Sequence, residues 1–553
     1  MGRNNYVFCL INASMFYEST TEKINMDCDV LIIGAGAAGA AAAWNLSQTK
    51  LKIVCLEQGG FMNPDMYPST KVGWEAMKYD NFNVSPNVRN LQSDYPINDS
   101  ESPIGIANFN AVGGSTILYS GHFPRFHPSD FKVKELDGVA DNWPINYYDL
   151  EPYFNLNDKM MGVSGLSGDP AYPTIEGMFP PIPLGEIGEV MAKGFNKLNW
   201  HWWPSYSAII TREYMNRGRC INLGPCNSGC PQGAKSSTDI TYWPLAIKNG
   251  VDLRTKCRVR EITLDNKGKL NGAIYYDENG HECFQKASIV ILACNGVGTP
   301  RLLLNSKSKF FPDGLANRSG LVGKNLMLHP LGYVEGLFEQ DLKSNLGPHG
   351  CLMQSQEFYE TDKSRGFVRG YTMQLLRGPG PVETAISGVN RRDIPLGLKH
   401  HEAFQKTLGR TIGIGIIVED LPELHNSVSL DSNRTDSNGI PAAKINYVLS
   451  ENSKKMLAHG IEKAKEVMIA AGAQKTFSFG PVRNTGWHLM GTTKMGVDPQ
   501  NSVVNEFGES HDVDGLYVVD SSVFVTSGGV NPASTLQAIA LYICEHIKNK
   551  YQS

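Results

Sequence analysis

The stretch Asp29-Val-Leu-Ile-Ile-Gly-Ala-Gly-Ala-Ala-Gly39 decides the fold of this chain. Its apolar, partly β-branched residues are followed at once by closely spaced glycines and then by the alanine-rich residues 37–46. This order is typical of a strand, a tight turn and a helix. A second apolar run, Leu51–Leu56, ends at Glu57. Residues 29–57 therefore predict one βαβ unit with parallel strands.

The glycines of this turn form a G-x-G-x-x-G pattern, which is typical of dinucleotide binding when it joins a strand to a helix. Gly34 permits the tight turn, and Gly36, next to Ala35, lets backbone approach a pyrophosphate at the helix N-terminus. Gly39 allows close helix–strand packing, and Glu57 follows it at about the spacing, roughly 20 residues, expected for a carboxylate on the adenosine ribose. A carboxylate there disfavours NADP and leaves NAD and FAD open. The alternative is a fortuitous glycine turn with Glu57 as a solvated strand end.

The composition is that of a globular chain long enough for two large domains. Of its 553 residues, 41% are hydrophobic and 19% are charged. The 51 basic and 55 acidic residues leave a net charge of −4, which argues against a nucleic-acid partner and against a polybasic membrane anchor. No apolar run approaches the roughly 18 residues of a membrane-spanning helix. We therefore expect no integral membrane segment.

The eleven cysteines do not form a disulfide framework, since an odd number cannot all pair within the chain. A reducing compartment, hence the cytoplasm, is the expected location, with the periplasm left open. Residues 1–25 are predicted to be an N-terminal extension. Their apolar part is short and broken by Asn12, which makes a poor secretory signal.

The order of apolar runs and turns predicts two interleaved domains. A dinucleotide-binding domain takes residues 26–165, 220–330 and 485–553, and a substrate-binding domain takes residues 166–219 and 331–484. In the second domain, short alternating runs separated by turn residues predict an antiparallel sheet. The expected fold class is α/β, a Rossmann-like domain with an inserted α+β domain built on that antiparallel sheet.

Further stretches carry a resemblance to a known family. Asn110-Ala-Val-Gly-Gly-Ser-Thr-Ile-Leu-Tyr119 and the run from Trp487 to Ala533, with the βαβ unit, resemble the glucose–methanol–choline (GMC) oxidoreductases. The resemblance implies an FAD-binding domain and FAD-dependent oxidation of a CH–OH group to a carbonyl, by proton abstraction and hydride transfer to flavin N5. The segment Phe123–Phe131 is most similar to the sugar- and polyol-oxidising branch, which includes pyranose oxidase and the large subunits of gluconate and fructose dehydrogenases.

The resemblance also implies how FAD is held. Gly113, Gly114 and Ser115 are expected to contact the flavin and its pyrophosphate, because glycine backbone can press against a flat, phosphate-bearing cofactor. Some relatives attach FAD covalently through a histidine in this loop. Ile117 and Leu118 stand at the candidate positions here, so we expect non-covalent FAD.

Alcohol oxidation requires a base beside the cofactor, and histidine suits this task near neutral pH. Trp487–Gly496 resembles the family's H-x-x-G-T motif, which implies that His488 is the catalytic base. Asn531 matches the second position of the catalytic pair, where its amide can orient the substrate oxygen and contact the cofactor. Asp520, at a predicted strand end, is implied to contact the ribityl–pyrophosphate part of FAD. The histidines expected to be structural are His122, His127 and His329.

Cys220, Cys226 and Cys230 lie close together in the sequence, and a proline follows the last of them. This spacing is compatible with a 3Fe-4S cluster, which the membrane-associated fructose and glucose dehydrogenases of the family carry on similarly spaced cysteines. Buried thiols or a Cys226–Cys230 disulfide are the alternatives. Zinc is disfavoured because no histidine completes a site nearby.

The expected substrate is a small alcohol, sugar, polyol or glycoside, and a dehydrogenase is favoured over an oxidase. Electrons are expected to pass to O2, a quinone or a cytochrome, with a small or cytochrome subunit as a candidate partner. One alternative is an iron–sulfur flavodehydrogenase subunit that reduces a cytochrome. Another is a hydroxynitrile lyase-like enzyme, in which FAD is structural and the histidine does acid–base chemistry. An NAD-linked or dithiol-linked reductase is disfavoured because no second G-x-G-x-x-G and no C-x-x-C occurs.

Overall fold

The computed structural model describes residues 27–551, so the predicted N-terminal extension, residues 1–25, lies outside the described part. The strands are β1 (Cys28–Ile33), β2 (Ile53–Leu56), β3 (Ile97–Glu101), β4 (Trp203–Pro204), β5 (Asp252–Arg254), β6 (Arg258–Leu264), β7 (Leu270–Tyr276), β8 (Glu282–Leu292), β9 (Leu331–Leu337), β10 (Met353–Ser355), β11 (Tyr371–Leu376), β12 (Thr411–Val418), β13 (Ser427–Thr435), β14 (Pro441–Asn446), β15 (Lys475–Phe479) and β16 (Leu516–Val518). The helices are α1 (Ala37–Leu46), α2 (Trp74–Met77), α3 (Pro86–Arg89), α4 (Val133–Asp137), α5 (Tyr147–Met161), α6 (Gly185–Leu198), α7 (Tyr242–Lys248), α8 (Asn295–Asn305), α9 (Pro381–Asn390), α10 (His400–Gln405), α11 (Glu451–Ala471) and α12 (Ala533–Tyr551).

A seven-stranded sheet carries the dinucleotide-binding half of the molecule. Its order is β5-β2-β1-β8-β7-β6, and β16 pairs with the last residues of β8. The pairs among β5, β2, β1, β8 and β16 are parallel, whereas β6 and β7 join by antiparallel pairing. The predicted Rossmann-like βαβ unit is confirmed, with α1 connecting β1 to β2.

The parallel strands are continuously apolar because helices cover the sheet. Val30, Leu31 and Ile32 of β1 are fully buried. Helix α1 packs against α7 and α12, and its residues Ala40–Ala43 are also fully buried. Their small side chains let neighbouring elements approach closely, so a helix that lacks large apolar residues is still held firmly.

A second sheet of six strands has the order β15-β9-β12-β11-β10-β4, and every pair in it is antiparallel. Helix α11 packs against β9 and β12. It begins after Ser450, whose hydroxyl accepts the N–H of Ser453 at 3.0 Å, and it ends at Gly472, with φ of 106°. The antiparallel sheet predicted within residues 331–484 is confirmed.

A small third sheet, β13-β14-β3, joins segments that are distant in sequence. β3 lies within residues 26–165, yet it pairs in parallel with β14. The domain boundaries drawn from the sequence stay a prediction. None of the helices within residues 27–551 has both the length and the apolar character needed to cross a bilayer.

Candidate active site

One cavity of about 630 Å³ lies where four parallel strands end. The residues that follow β1, β2, β8 and β16 all line it, namely Gly34, Glu57, Ala293 and Asp520. Ligands of open α/β sheets bind at the carboxyl ends of the strands. Gly114, a group of histidines that includes His488, and Asn531 also line the same cavity.

The glycine turn is shaped by contacts that exclude side chains at two positions and leave room at the third. A Cβ on Gly34, where φ is 101°, would lie 2.5 Å from the carbonyl oxygen of Ala293, and a Cβ on Gly39 would lie 1.9 Å from that of Gly34. A Cβ on Gly36 would instead meet no protein atom closer than Gly114 Cα at 3.9 Å. The space beside Gly36, at the N-terminus of α1, therefore faces the cavity.

Glu57 is buried beside this turn rather than solvated at a strand end. Its two carboxylate oxygens accept the N–H groups of Ala35 at 2.8 Å and of Gly59 at 2.7 Å. Burial raises the pKa of this carboxyl group, and the backbone donors oppose that shift. Each oxygen keeps a lone pair that a ribose hydroxyl can use, so Glu57 holds the turn as well as lining the cavity.

The loop predicted to contact the flavin packs directly on the glycine turn. Gly113 has φ of 95° and Gly114 has φ of 53°. The Gly113 N–H donates to the carbonyl oxygen of Ala35 at 2.9 Å, and a Cβ on Gly114 would lie 2.9 Å from Gly36 Cα. The Ser115 hydroxyl accepts the N–H of Phe109 at 3.2 Å.

A buried lysine, which the sequence did not single out, fixes the rest of this loop. The ammonium of Lys235 donates to three backbone carbonyls, those of Thr116 at 3.1 Å, Ile117 at 2.8 Å and Tyr119 at 2.9 Å. Burial lowers the pKa of Lys235 to about 8. The lysine thus joins the cysteine segment to the wall of the cavity.

Asp520 holds the N-terminal end of α8 at the cavity. One carboxylate oxygen accepts the N–H of Asn295 at 3.1 Å and the hydroxyl of Thr299 at 2.5 Å. The other oxygen accepts the N–H of Ser522 at 2.9 Å. Burial raises the pKa of this carboxyl group. Asn295 and Asp520 both line the cavity, so both offer polar groups to its ligand.

His488 is hydrogen-bonded to a second histidine, and this contact defines its tautomer. The Nδ1 atoms of His488 and His329 lie 2.7 Å apart. His329 Nε2 lies 2.7 Å from the carbonyl oxygen of Gly528 and 3.2 Å from that of Ser527. Because carbonyls only accept, His329 Nε2 carries its proton and its Nδ1 is the acceptor. His488 Nδ1–H therefore donates to His329, which leaves His488 Nε2 with a free lone pair.

Both imidazoles of this pair are neutral near pH 7. Burial lowers the pKa of His329 to about 4. Burial also lowers the pKa of His488 well below its usual range, and His329 and His122 add to that shift. A neutral imidazole with an exposed lone pair is the form that accepts a proton.

Asn531 is oriented by a glutamine from the antiparallel sheet. Gln374 Nε2, on β11, donates to Asn531 Oδ1. Since the amide oxygen is engaged, the Nδ2 donor of Asn531 is the group that remains for a ligand in the cavity. Gln374 lines the cavity too, so both sheets contribute to one site.

The three histidines expected to be structural differ in position. His127 is stacked on Tyr359, with ring centroids 3.9 Å apart, and its Nε2 lies 2.9 Å from Gln356 Nε2. His122 and His329 instead line the cavity, as does His349. The structural expectation thus holds for His127, whereas His329 supports His488 directly.

The three cysteines of the candidate cluster site do not fit a 3Fe-4S cluster. They line a void of about 20 Å³, which is room for about one water molecule. Within residues 27–551, no group of three or more His, Cys, Asp or Glu side chains is arranged to hold a metal ion. Cys220, Cys226 and Cys230 are free thiols, and burial raises the pKa of Cys220 to about 11 and also raises that of Cys226.

The fold and the cavity define a dinucleotide-binding protein with a histidine pair at its ligand site, and comparisons with known proteins give the family. Models of the GMC oxidoreductase family match residues 186–331 and 422–540, and a model of NAD(P)-binding Rossmann-like domains matches residues 32–77. The chain is 41% identical over 531 residues to 2-methyl-1,2-propanediol dehydrogenase of Mycolicibacterium austroafricanum, with 95% of each chain covered. The chain belongs to the GMC oxidoreductase family.

More distant relatives agree with this assignment. The fructose dehydrogenase large subunit of Gluconobacter japonicus is 26% identical, over 95% of this chain and 98% of that protein. The crystal structure of pyridoxine 4-oxidase from Mesorbium loti has the same fold, with a TM-score of 0.66 at 16% identity over 95% of this chain and 99% of that one. The expected fold class, the family and the FAD-dependent oxidation of CH–OH groups are confirmed.

The residues on the cavity wall fit FAD, the cofactor of this family. Gly36 at the helix N-terminus leaves room for a pyrophosphate, and Glu57 has lone pairs for the adenosine ribose. Asn295, Asp520 and Gly114 line the same cavity as His488. A Cβ on Gly36 would fill space that the protein itself does not use.

We expect Gly36→Ala to fold normally but to bind FAD about 10- to 100-fold more weakly, because the added methyl group overpacks the cofactor's space and not the protein. The flavin-to-protein absorbance ratio and far-UV circular dichroism measure the two effects. Gly60→Ala is the matched control, since a Cβ there would meet nothing within 4 Å. Full flavin content in Gly36→Ala would contradict the assignment.

We expect His329→Leu to slow flavin reduction by about 10²-fold while FAD stays bound, because His488 loses the acceptor that fixes its orientation. His329→Asn supplies an amide oxygen near the position of Nδ1 and should recover part of the rate. Anaerobic stopped-flow absorbance gives both rate constants, and thermal unfolding reports any general loss of stability. Equal rates in the two variants would remove His329 from this role.

Proposed function

We propose that this enzyme is a dehydrogenase that oxidises one hydroxyl of a small polyol to a carbonyl, with His488 as the base. The observation that carries the proposal is the hydrogen-bond chain from the Gly528 carbonyl through His329 to His488. It holds a neutral imidazole in one tautomer at the cavity wall. A base held in this way needs no rearrangement before it takes a proton.

His488 Nε2 takes the hydroxyl proton of the substrate. The resulting imidazolium keeps its Nδ1–H bond to His329, and that bond strengthens as the ring becomes charged. His329 retains its own proton because the Gly528 carbonyl accepts it. The proton therefore stops at His488, and the neighbouring histidine stabilises the charge without titrating.

Asn531 supports the same step from the substrate side. With its oxygen bound by Gln374, its Nδ2 donates to the substrate oxygen, which gains negative charge as the proton leaves. A positioned donor aimed at developing charge stabilises the transition state more than the ground state. Gln374 thus acts as a positioning residue for Asn531.

FAD, when bound, supplies the acceptor for the hydride that leaves the carbinol carbon. The residues that we assign to holding it line the cavity, namely Gly34, Gly36, Glu57, Gly114, Ser115, Asp520 and Asn531. The other three predicted cofactor residues, Ala35, Gly39 and Gly113, do not line the cavity and instead shape the turn and the loop behind it. We propose that FAD is bound non-covalently. Ile117 and Leu118, the two positions where a histidine attaches FAD in some relatives, are fully buried apolar side chains without a nucleophilic atom.

The small polyol is supported by the relative that is 41% identical, which is named for a diol and as a dehydrogenase. We propose a quinone or a cytochrome as electron acceptor in preference to O2, and a cytoplasmic location. The iron–sulfur subunit is not favoured because the cysteines do not fit a cluster. The hydroxynitrile lyase-like enzyme is not favoured because the two relatives by sequence described above are named as dehydrogenases.

Anaerobic mixing of the holoenzyme with small diols, sugars and simple alcohols tests the proposal. Loss of the oxidised flavin absorbance with a diol supports it, and turnover of a cyanohydrin without bleaching would overturn it in favour of a lyase. Reoxidation of the reduced enzyme by air and by an artificial quinone is then compared. Faster reoxidation by O2 than by the quinone would make the enzyme an oxidase.

We expect His488→Ala to bind FAD normally but to slow flavin reduction by about 10²–10⁴-fold, the usual contribution of a general base. Stopped-flow reduction at saturating substrate gives the rate constant. His425→Ala, at an exposed histidine, is the control and should be unchanged. Reduction at the wild-type rate in His488→Ala would exclude it as the base.

We expect the rate constant of flavin reduction to stay level from pH 8 down to pH 6.5 and to fall only at lower pH. His488 acts in its neutral form, and burial holds its pKa well below 6.5. Protonation, which removes the lone pair, is therefore confined to more acidic solution. A profile from pH 4.5 to 8 with a midpoint at or above 6.5 would contradict this assignment.

A further inference from the structure

Two histidines on the cavity wall have ring nitrogens without partners in the described part of the chain. His122 is 3% exposed, and neither of its ring nitrogens has a hydrogen bond there. The Nδ1 atom of His349 is buried and unpartnered as well. Both residues line the same cavity as His488. Buried polar groups in native proteins are almost always hydrogen-bonded, so these nitrogens indicate a ligand.

The two histidines line the cavity close to each other and to the proposed base. His122 follows the flavin-contacting loop, and its backbone bridges to Ser207. A Cβ built on Gly350, the neighbour of His349, would lie 3.2 Å from His122 Nε2. The charge of a protonated His122 would lower the pKa of both His349 and His488. His122 is therefore near both of these rings.

The protonation state of this wall selects the chemistry of its ligand. Burial lowers the pKa of His122 to about 3 and that of His349 well below its usual range, so both rings are neutral near pH 7. A neutral imidazole offers one N–H donor and one lone pair. A hydroxyl group matches this pair because it donates and accepts through one oxygen, whereas an ether or a carbonyl only accepts.

We propose that His122 and His349 bind a second hydroxyl of the substrate while the reacting hydroxyl lies at His488 and Asn531. The enzyme is then specific for vicinal diols and related polyols over simple alcohols. This inference rests on the proposed function and adds to it the residues that select the substrate. Arg377, Lys78 and Lys235 also lie near His349 and help to lower its pKa. Lactate, in which a carboxylate replaces the second hydroxyl, therefore distinguishes a hydroxyl site from an anion site.

The test compares kcat/KM for propane-1,2-diol, propan-1-ol and lactate, with an artificial dye as electron acceptor. The wild-type enzyme should prefer the diol over both other compounds. In His122→Leu the ratio of kcat/KM for the diol to that for propan-1-ol should fall about 10- to 100-fold, the usual effect of removing one partner of a buried hydrogen bond. His349→Leu should shift the ratio in the same direction.

Conservative variants separate binding from damage to the fold. Asn at position 122 places an amide near Nδ1 and Gln places one near Nε2, so His122→Asn or His122→Gln should restore part of the ratio. His425→Leu, at an exposed histidine, should leave the ratio unchanged. Flavin content and circular dichroism identify any variant that fails to fold. If His122→Leu fails to fold, the kcat/KM ratio of His349→Leu decides the test.

The proposal is overturned if the wild-type enzyme prefers lactate or propan-1-ol, or if the ratio is unchanged in both leucine variants. If kcat/KM of His122→Leu falls equally for propane-1,2-diol and propan-1-ol, the proposal is also overturned, and His122 then acts on flavin binding or on the fold. These results leave the oxidation itself intact. If no alcohol bleaches the flavin, the proposed function fails instead.

Discussion

The backbone N–H and carbonyl of Ala35 hold three distant segments against the glycine turn between β1 and α1. The N–H of Ala35 donates to Glu57, and its carbonyl accepts from the Gly113 N–H and from the Trp243 indole, each at 2.9 Å. These bonds form only because glycines on either side let the backbones meet. One residue, whose own side chain is a methyl group, therefore positions the end of β2, the loop that begins at Gly113 and helix α7.

The groups hydrogen-bonded to the proposed catalytic pair, His488 and Asn531, are neutral, and this has a physical basis. Charged side chains in a closed pocket carry a large desolvation penalty. Two imidazoles and two amides instead provide directional donors and acceptors, namely those of His488, His329, Asn531 and Gln374. In the proposed mechanism, the substrate proton that moves to His488 creates a charge beside groups that are already oriented to stabilise it.

The sequence was sufficient for features that depend on short-range pattern. The βαβ unit was predictable because the spacing of Gly34, Gly36 and Gly39 after a strand is a local pattern. The position of the ligand was predictable because ligands of α/β sheets bind at the carboxyl ends of the strands. Glu57 lies on the cavity wall as expected, but its bonds to Ala35 and Gly59 could not be read from spacing. The site residues themselves stay predictions until variants are measured.

Other features could not be predicted because they depend on contacts between distant segments. His127 and His329 look alike in sequence, yet one stacks in the interior on Tyr359 and the other supports the proposed base. Lys235 lies in a cysteine-rich segment whose spacing is compatible with a metal cluster. In the structure its ammonium instead donates to backbone carbonyls of the loop predicted to contact the flavin. Only the folded chain brings these residues to their partners.

The order of strands in the seven-stranded sheet also governs how the protein is made. β1 needs β8, and β8 needs β16 near the C-terminus. An emerging nascent chain thus carries an apolar strand with one edge unpaired for most of its synthesis, which favours slow folding and aggregation. Asn531 and α12 follow β16 in the chain. The cavity wall is therefore complete only after residues 516–531 have been synthesised, and until then this edge of β8 has no partner.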